Sequence, residues 1–187
     1  GVYVEGWGPE SWTVYFNGTT GGQAVSFNDT ADSGPIGKQW AFSASIPAAN
    51  RTITLEQNSP DSSISPSTAY TYSSYWITGN KGGSGDLLTL QTLYRNSTLS
   101  DMTNSTTVRD SGETSWTRAG VTTTTGANVR RVTERIYINQ NATATGNVSI
   151  DLLQLDQGSI VTPWRNAPDD SIPIVATTWA ENTGAEY

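Results

Sequence analysis

Cysteine and histidine are both absent from this chain of 187 residues. Without thiols and imidazoles, the chain has no disulfide, no thiolate nucleophile, no imidazole base and no zinc or copper site built from the usual ligands. The side-chain chemistry that remains is that of carboxylates, hydroxyls and aromatic rings. The lack of disulfides is neutral about export, because a domain of this size can rely on the burial of its core alone.

The chain is also poor in basic residues, with ten Lys and Arg against 17 Asp and Glu and a formal charge of -7. Proteins that bind nucleic acid carry a basic stripe, so we expect no nucleic-acid partner. No apolar run approaches the roughly 20 residues that a membrane-spanning helix needs, so we expect a soluble chain without a membrane partner. The chain starts with Gly1, which fits processing or excision from a longer chain and leaves the compartment open.

What the chain has in abundance is Thr, Ser, Asn and Gly, together with seven Trp and eight Tyr. This composition is typical of β-strands joined by polar turns. The polar segment 95–112 has no strong period and is predicted to be a long surface loop. Short strands separated by turns predict an all-β fold, a two-sheet antiparallel β-sandwich. Alternating apolar and polar residues predict these strands over residues 11–16, 23–27, 39–46, 52–56, 69–77, 86–94, 116–125, 131–139 and from 148 onward.

The closing strand shows a change of phase in its apolar residues. Val148, Ile150 and Leu152 share one face, whereas Leu153 and Leu155 continue on the other. This pattern predicts either a bulge near Leu152 or a strand that is covered on both sides. The Asp at position 151 interrupts the apolar run, and it needs a partner, a cation or a solvent-facing position.

Four short motifs follow one another along the chain: YVEGW (residues 3–7), AYTYSSY (69–75), SWTR (115–118) and VSID (148–151) followed by QL (154–155). Together they resemble the jelly rolls of carbohydrate-binding modules of the galactose-binding-domain type. The ending GS (158–159) followed by TPW (162–164) resembles the copies of this module in bacteriophage tail fibres, tailspikes and other virion structural proteins. The resemblance covers roughly residues 1 to 165. It implies a two-sheet jelly roll, glycan binding in many members and, often, a structural calcium ion.

The implied calcium ion would lie near the first and last strands. On this resemblance, Glu5 occupies the glutamate position beside the first strand and Asp151 the aspartate position of the closing strand. Ca²⁺ takes several oxygen ligands, typically carboxylates together with backbone carbonyls. Glu5 and Asp151 are therefore the predicted metal ligands. In the alternative interpretation, Asp151 faces solvent on an edge strand and Glu5 is an ordinary loop residue.

Exposed aromatic rings are the expected elements of a sugar site, because a pyranose stacks its apolar face on them while polar neighbours bind its hydroxyls. Alternation assigns five large aromatic residues to the core: Trp12, Trp40, Tyr70, Tyr72 and Trp76. In the alternative interpretation, the remaining aromatic residues are ordinary surface or rim residues. The predicted carbohydrate-binding residues are Trp7 in a loop, three tyrosines on outward faces and two polar partners: Trp7, Tyr15, Tyr75, Gln91, Arg135 and Tyr137.

One carboxylate is predicted to lie inside the core. Glu134 shares its parity with Val132, Ile136 and Ile138, and a lone buried carboxylate is costly. We expect it to pair with an arginine such as Arg118; otherwise the two faces of the strand are inverted, or the carboxylate is catalytic. Glycoside hydrolysis needs two acids at roughly 5 to 9.5 Å. No such pair stands out on the predicted strands, so no enzymatic activity is predicted.

The predicted function is that of a non-catalytic glycan-binding or adhesion module of a phage virion protein, such as a tail fibre, tailspike or capsid decoration. It would contact bacterial surface polysaccharide and serve host attachment at the virion surface. One alternative is a purely structural or oligomerisation domain that packs against neighbouring virion proteins. Another is a secreted, extracellular carbohydrate-binding module, an accessory of a bacterial polysaccharide-degrading enzyme.

The end of the chain reads as an appendage. Residues 1–165 are predicted to form the sandwich and residues 166–187 a C-terminal linker or appendage. This tail carries Ile172, Val175 and Trp179 without an evident partner strand of its own. Because exposed apolar groups call for a partner, we expect a homo-oligomer, a trimer, with Trp179 at a subunit contact. A frayed linker is the alternative.

Overall fold

The computed structural model contains strands and no helix in the residues that it describes, so no helix there could cross a membrane. Those residues are 12–18, 22–29, 40–59, 62, 64–98, 100–109, 113–161 and 177–180. The strands are β1 (Thr13–Gly18), β2 (Ala24–Asp29), β3 (Trp40–Ile46), β4 (Arg51–Asn58), β5 (Ala69–Gly83), β6 (Leu88–Arg95), β7 (Asp101–Arg109), β8 (Thr117–Thr124), β9 (Arg131–Ile138), β10 (Ala144–Gln157) and β11 (Thr177–Ala180).

The strands form two antiparallel sheets. Sheet A has five strands in the order β1-β4-β9-β6-β7, and sheet B has six in the order β11-β2-β3-β10-β5-β8. Strands that follow one another in the chain often lie in different sheets, so the connections cross from one sheet to the other. The two-sheet antiparallel sandwich predicted from the sequence is confirmed.

The core lies between the two sheets and is filled from both inner faces. Alternate residues point inward in strands such as β4, as the period-2 pattern predicts. Trp12 meets Phe42 edge to face, with ring centroids 5.2 Å apart. Burial confirms four of the five predicted core aromatics, and the side chain of the fifth, Trp40, lies outside the described part. The four confirmed residues are Trp12, Tyr70, Tyr72 and Trp76.

The change of phase in the closing strand is a β-bulge. Strand β10 pairs with β5, and the register shifts between Asp151 and Gln154. Val148 and Ile150 are buried before the bulge, and Leu153 and Leu155 are buried after it. The bulge predicted near residue 152 is thus confirmed, and it lets both halves of a long strand pack their apolar residues into the same core.

The prediction of a surface loop over residues 95–112 is wrong for most of its length. Residues 101–109 form β7, which pairs antiparallel with β6 at the edge of sheet A. The segment DMTNSTTVR has almost no apolar period, so side-chain alternation could not reveal it. This strand forms because its backbone pairs with β6. A strand at the edge of a sheet can be polar along its whole length.

The expectation that the C-terminal run lacks a partner strand is also wrong. Residues 177–180 form β11, which pairs antiparallel with β2 and places Trp179 opposite Val25. The rest of the segment after residue 161, including Ile172 and Val175, lies outside the described residues, as does the side chain of Trp179. The boundary at residue 165 and the trimer stay predictions. The sequence predicts a trimer because the tail lacks an evident partner strand, and the pairing of β11 with β2 removes that reason.

Candidate functional site

Six side chains form a continuous surface on the outer face of sheet A. The register places Tyr15 of β1 beside Thr54 of β4, and Thr54 beside Tyr137 of β9. In the next row, Arg135 of β9 lies between Glu56 of β4 and Gln91 of β6. We call Tyr15, Thr54, Glu56, Gln91, Arg135 and Tyr137 the sheet A platform. Four of the six predicted carbohydrate-binding residues therefore meet on one face.

Hydrogen bonds link the platform side chains across three strands. Arg135 Nε donates to Glu56 Oε2 at 2.6 Å, which is also an ion pair. Arg135 Nη1 donates to the Tyr137 hydroxyl at 3.4 Å, and that hydroxyl donates to Gln91 Oε1 at 3.2 Å. Hydrogen bonds between charged groups are shorter and stronger than those between neutral groups. The bond between Arg135 and Glu56 is therefore the strongest in this series. The polar groups are thus held in fixed positions before any ligand arrives.

The charges of the platform cancel. Burial lowers the pKa of Arg135, but the hydrogen bond and the attraction of the Glu56 carboxylate outweigh it and leave that pKa raised. The two side chains are 24% and 16% exposed, so solvent and a ligand can reach them. An ion pair with this exposure contributes only about 0.2 to 1 kcal/mol to stability. Its main physical effect is to orient the guanidinium group.

Exposure decreases across the platform from one side to the other. Tyr15, at the edge of the sheet, is 46% exposed, whereas Tyr137 and Gln91 are half-buried. Farther across the same outer face, Thr89 and Leu93 of β6 are buried. The platform is therefore open over β1 and β4 and closed toward β6. The ring of Tyr15 is the aromatic surface that a ligand could stack on.

Tyr75, another predicted binding residue, lies on the opposite side of the molecule. It is on the outer face of sheet B, where the Arg118 guanidinium lies 5.2 Å from the centre of its ring. Arg118 Nη2 also donates to Ser73 Oγ at 3.1 Å. A guanidinium over the ring is a cation–π contact, and it occupies that face of Tyr75. Tyr75 cannot act together with the sheet A platform.

Sequence reasoning missed two members of the platform, Thr54 and Glu56. Both lie on the outward parity of β4, together with Thr52. The alternation of that run marks these side chains as outward-facing, which is the signal that could have found them. The ion pair with Arg135 could not be found in this way, because it depends on the pairing of β4 with β9, strands more than 70 residues apart.

The predicted calcium ligands are only partly described. Glu5, like Trp7 of the predicted sugar site, lies outside the described residues. Asp151 is 2% exposed, and its strand lies between β3 and β5, so the alternative of a solvent-facing edge position is wrong. Among the described residues, no three Asp or Glu side chains cluster in a way that could hold a metal ion. Of the two predicted ligands, only Asp151 lies among the described residues. The calcium site stays a prediction, and its other ligands would have to come from residues outside the described part.

Glu134 lies in the core, as its parity predicts, and is 2% exposed. Burial raises its pKa to about 8. The predicted pairing with Arg118 is wrong, because Arg118 lies on the outer face of sheet B beside Tyr75 and Ser73. A carboxylate enclosed between two sheets is also beyond the reach of a polysaccharide, which argues against a catalytic role for it.

A concave region lies where three loops meet. The cleft has a volume of about 640 Å³, and its walls come from the β4–β5, β6–β7 and β8–β9 connections. Ile64 and Val129 form a buried apolar floor, and Arg130 donates a hydrogen bond to Ser62 at the rim. None of the lining residues is aromatic, so the cleft offers a sugar ring no stacking surface. The sheet A platform is the better candidate.

Comparisons with known proteins reveal similarity in structure but not in sequence. No protein-family model matches the chain, and no curated protein sequence matches it. The enzymatically active domain of tailspike protein 4 of bacteriophage CBA120 superposes with a TM-score of 0.62 at 11% identity. The match covers 79% of this chain but 19% of the tailspike chain, so this chain spans less than a fifth of that protein.

Two further solved structures match over most of their own length. The CBM22-1 xylan-binding domain from Paenibacillus barcinonensis has a TM-score of 0.51 at 13% identity, over 82% of this chain and 90% of that one. A cyclase from Fischerella has a TM-score of 0.56 at 14% identity, over 83% and 88% of the two chains.

Identities this low establish the fold alone. Most of the similar structures are carbohydrate-binding modules, among them a family 16 module at a TM-score of 0.50 and 18% identity. The chain therefore has the jelly-roll β-sandwich fold of carbohydrate-binding modules, as the four sequence motifs predicted.

Proposed function

We propose that this domain is a non-catalytic glycan-binding module and that the sheet A platform is its binding face. The observation that carries the proposal is the hydrogen-bonded chain from Glu56 through Arg135 and Tyr137 to Gln91, beside the exposed ring of Tyr15. Sugar recognition combines an aromatic surface with polar groups in fixed positions. The platform offers both on one face.

The spacing of the platform suits an extended glycan. Neighbouring strands lie about 4.8 Å apart, so Tyr15 on β1 and Tyr137 on β9 stand about 10 Å apart across β4. The repeat of an extended β-linked pyranose chain is close to one strand spacing. A glycan lying across the strands would place one sugar over Tyr15 and another, two residues along, beside Tyr137 and Arg135.

The charge balance favours an uncharged polysaccharide. The chain carries a formal charge of -7, which repels an acidic glycan as it approaches. The two charged groups of the platform, Glu56 and Arg135, neutralise each other at 2.6 Å. Sugar hydroxyls can bind the remaining donors and acceptors of this pair without displacing it. A uronate or sialate would instead have to compete with Glu56 for the guanidinium.

The finer proposal is attachment of a phage virion to a bacterial surface polysaccharide. It is supported by the sequence motifs that resemble virion modules and by the similar fold of a phage tailspike domain. The alternative of an accessory module in a polysaccharide-degrading enzyme is supported by the similar fold of a xylan-binding domain. A trimer or a contact with neighbouring virion proteins belongs to the first alternative, and light scattering on the purified chain tests it.

The test is a glycan array of neutral and acidic polysaccharides, followed by titration calorimetry on the best ligand. We expect Tyr15→Ala to weaken binding at least tenfold, because it removes the exposed stacking ring. Tyr75→Ala is the matched control on the opposite face and should bind like the wild type. Equal losses in both variants would contradict the assignment of the face. Absence of binding to every glycan and to host cells would favour a structural domain instead.

A further inference from the structure

A cluster of oxygen-bearing side chains is buried between the two sheets. Glu134 of β9 points inward next to Thr92 of β6, its cross-strand neighbour. Tyr94 of β6 and Tyr72 and Ser74 of the opposite sheet are buried as well. All five side chains are at most 2% exposed. The space between the two sheets thus holds a carboxyl group and four hydroxyl groups.

Three of these groups lack hydrogen-bond partners among the described residues: Glu134 Oε1, Ser74 Oγ and the Tyr72 hydroxyl are enclosed and accept or donate no hydrogen bond there. The enclosed hydroxyls of Thr92 and Tyr94 interact with each other and have no further partner there. Buried polar groups in folded proteins are nearly always satisfied, by protein atoms or by internal water. The cluster therefore calls for internal water, a bound ion or a proton shared within it.

No positive charge among the described residues faces Glu134. Arg131 and Arg135 of its own strand point to the outer face, and Arg51 lies at the far end of β4. The inward neighbour on β4 is the neutral Gln57. The titratable groups that face Glu134 are Tyr72 of β5 and Tyr94 of β6, with Tyr70 beyond Tyr94 at 6.3 Å between ring centroids.

Burial disfavours a charged carboxylate here, and no cation among the described residues offsets that cost. Burial alone raises the pKa of Glu134 to about 8. Burial, and then the nearby Glu134 carboxylate, raise the pKa of the Tyr72 hydroxyl. The pKa of the Tyr94 hydroxyl is raised too, mainly by burial. The tyrosines therefore keep their protons well above the pH at which Glu134 loses its own.

We infer that Glu134 is held as a neutral carboxylic acid, hydrogen-bonded through internal water to the buried hydroxyls, and that its ionisation loosens the contact between the two sheets. The folded state then keeps a proton that the unfolded chain releases above its ordinary pKa of 4.5. Stability falls as the pH rises from about 4.5 to about 8, and the whole contribution is lost above that range. Most carboxylates act in the opposite direction, because their pKa is lowered in the folded state.

The experiment is urea unfolding from pH 5 to pH 9.5 for the wild type, Glu134→Gln and Glu56→Gln. The unfolding constant of the wild type should rise with pH relative to that of Glu134→Gln, by up to roughly a thousandfold between the two ends. Glu56→Gln alters a carboxylate on the outer face and should follow the wild type. Parallel curves for the wild type and Glu134→Gln would overturn the inference.

A second measurement covers the case in which Glu134→Gln does not fold. Carbon-13 NMR of the glutamate carboxyl groups in the wild-type chain should show one group titrating near pH 8, and a full set at ordinary values would overturn the inference. Thermal melts at constant ionic strength in sodium, potassium, calcium or choline chloride complete the test. The same response to each salt in the wild type and in Glu134→Gln supports a neutral acid, whereas stabilisation by one metal that Glu134→Gln abolishes would show a cation site at Glu134 and overturn the inference.

Discussion

The two outer faces of the sandwich use the same pair of residue types in opposite ways. On sheet A, Arg135 bonds to Glu56 and to the hydroxyl of Tyr137, which leaves the neighbouring ring of Tyr15 open. On sheet B, the Arg118 guanidinium lies over the ring of Tyr75 and occupies that face. Arg135 therefore contacts a tyrosine through its hydroxyl, whereas Arg118 contacts a tyrosine through its ring.

Sheet B is also covered by its own chain. After β10, residues 158–161 turn back over the outer face of β5 and β8. Thr71 Oγ1 donates to the carbonyl of Gly158 at 2.9 Å. A Cβ atom at Gly120 would lie 2.9 Å from Val161 Cγ2, so the glycine makes room for the crossing segment. The outer face of β5 and β8 is therefore covered by intramolecular contacts, whereas the ring of Tyr15 on sheet A is 46% exposed.

The largest expected effect comes from breaking the closed face. Gly120→Val places atoms against the carbonyl of Tyr72 and the side chain of Val161, where a Cβ would already lie at 2.8 and 2.9 Å. We expect a loss of about 3 kcal/mol in the free energy of unfolding, the cost of overpacking. Gly79→Ala, where a Cβ meets nothing within 4 Å, is the control and should cost far less. Chemical denaturation measures both, and equal costs would contradict the contact.

The second prediction concerns the calcium ion proposed at Asp151 on the outer face of sheet B. If the ion binds only the folded state, calcium at 100 times its dissociation constant should stabilise the domain by about 2.7 kcal/mol. Thermal melts with excess calcium and with chelator test this, with Asp151→Asn as the variant that should no longer respond. Identical melting temperatures of the wild type in calcium and in chelator would contradict the predicted calcium site.

The third prediction compares the two arginines. Arg135→Leu removes the hydrogen bonds to Glu56 and Tyr137 and leaves a half-buried carboxylate without its partner. We expect glycan affinity to fall by about 2 kcal/mol, or about thirtyfold, within the range for a lost partner of a charged pair. Arg118→Leu alters the covered face and should leave affinity unchanged in titration calorimetry. A similar loss in Arg118→Leu would mean that the binding face has been misassigned.

How far the sequence leads can be judged from particular residues. Alternation identified the buried faces, the inward Glu134 and the phase change in β10, because burial imposes a period of two on each strand. It missed β7, whose pairing depends on its backbone, and β11, whose partner β2 lies about 150 residues earlier. It also grouped Tyr75 with Tyr15 and Tyr137. Parity separates inward from outward on one strand, but it does not tell which of two sheets a strand joins.

The smallest expected effect is the one that most sharply separates the two faces, because it changes a single oxygen. Tyr137→Phe removes the hydroxyl that donates to Gln91 Oε1 at 3.2 Å and accepts from Arg135. The hydrogen bond between Arg135 and Glu56 remains, so the series of hydrogen-bonded groups is cut in the middle while its ends stay in place.

A hydrogen bond contributes about 1 kcal/mol net, so glycan affinity should fall about fivefold in Tyr137→Phe. Stability should change by less, because water can reach the half-buried Gln91 and replace the lost donor. Tyr75→Phe is the matched control on sheet B, where the contact with Arg118 involves the ring and not the hydroxyl. If the two variants bind the glycan alike, the hydroxyl of Tyr137 takes no part in recognition, and only the ring of Tyr15 and the ion pair would remain to explain it.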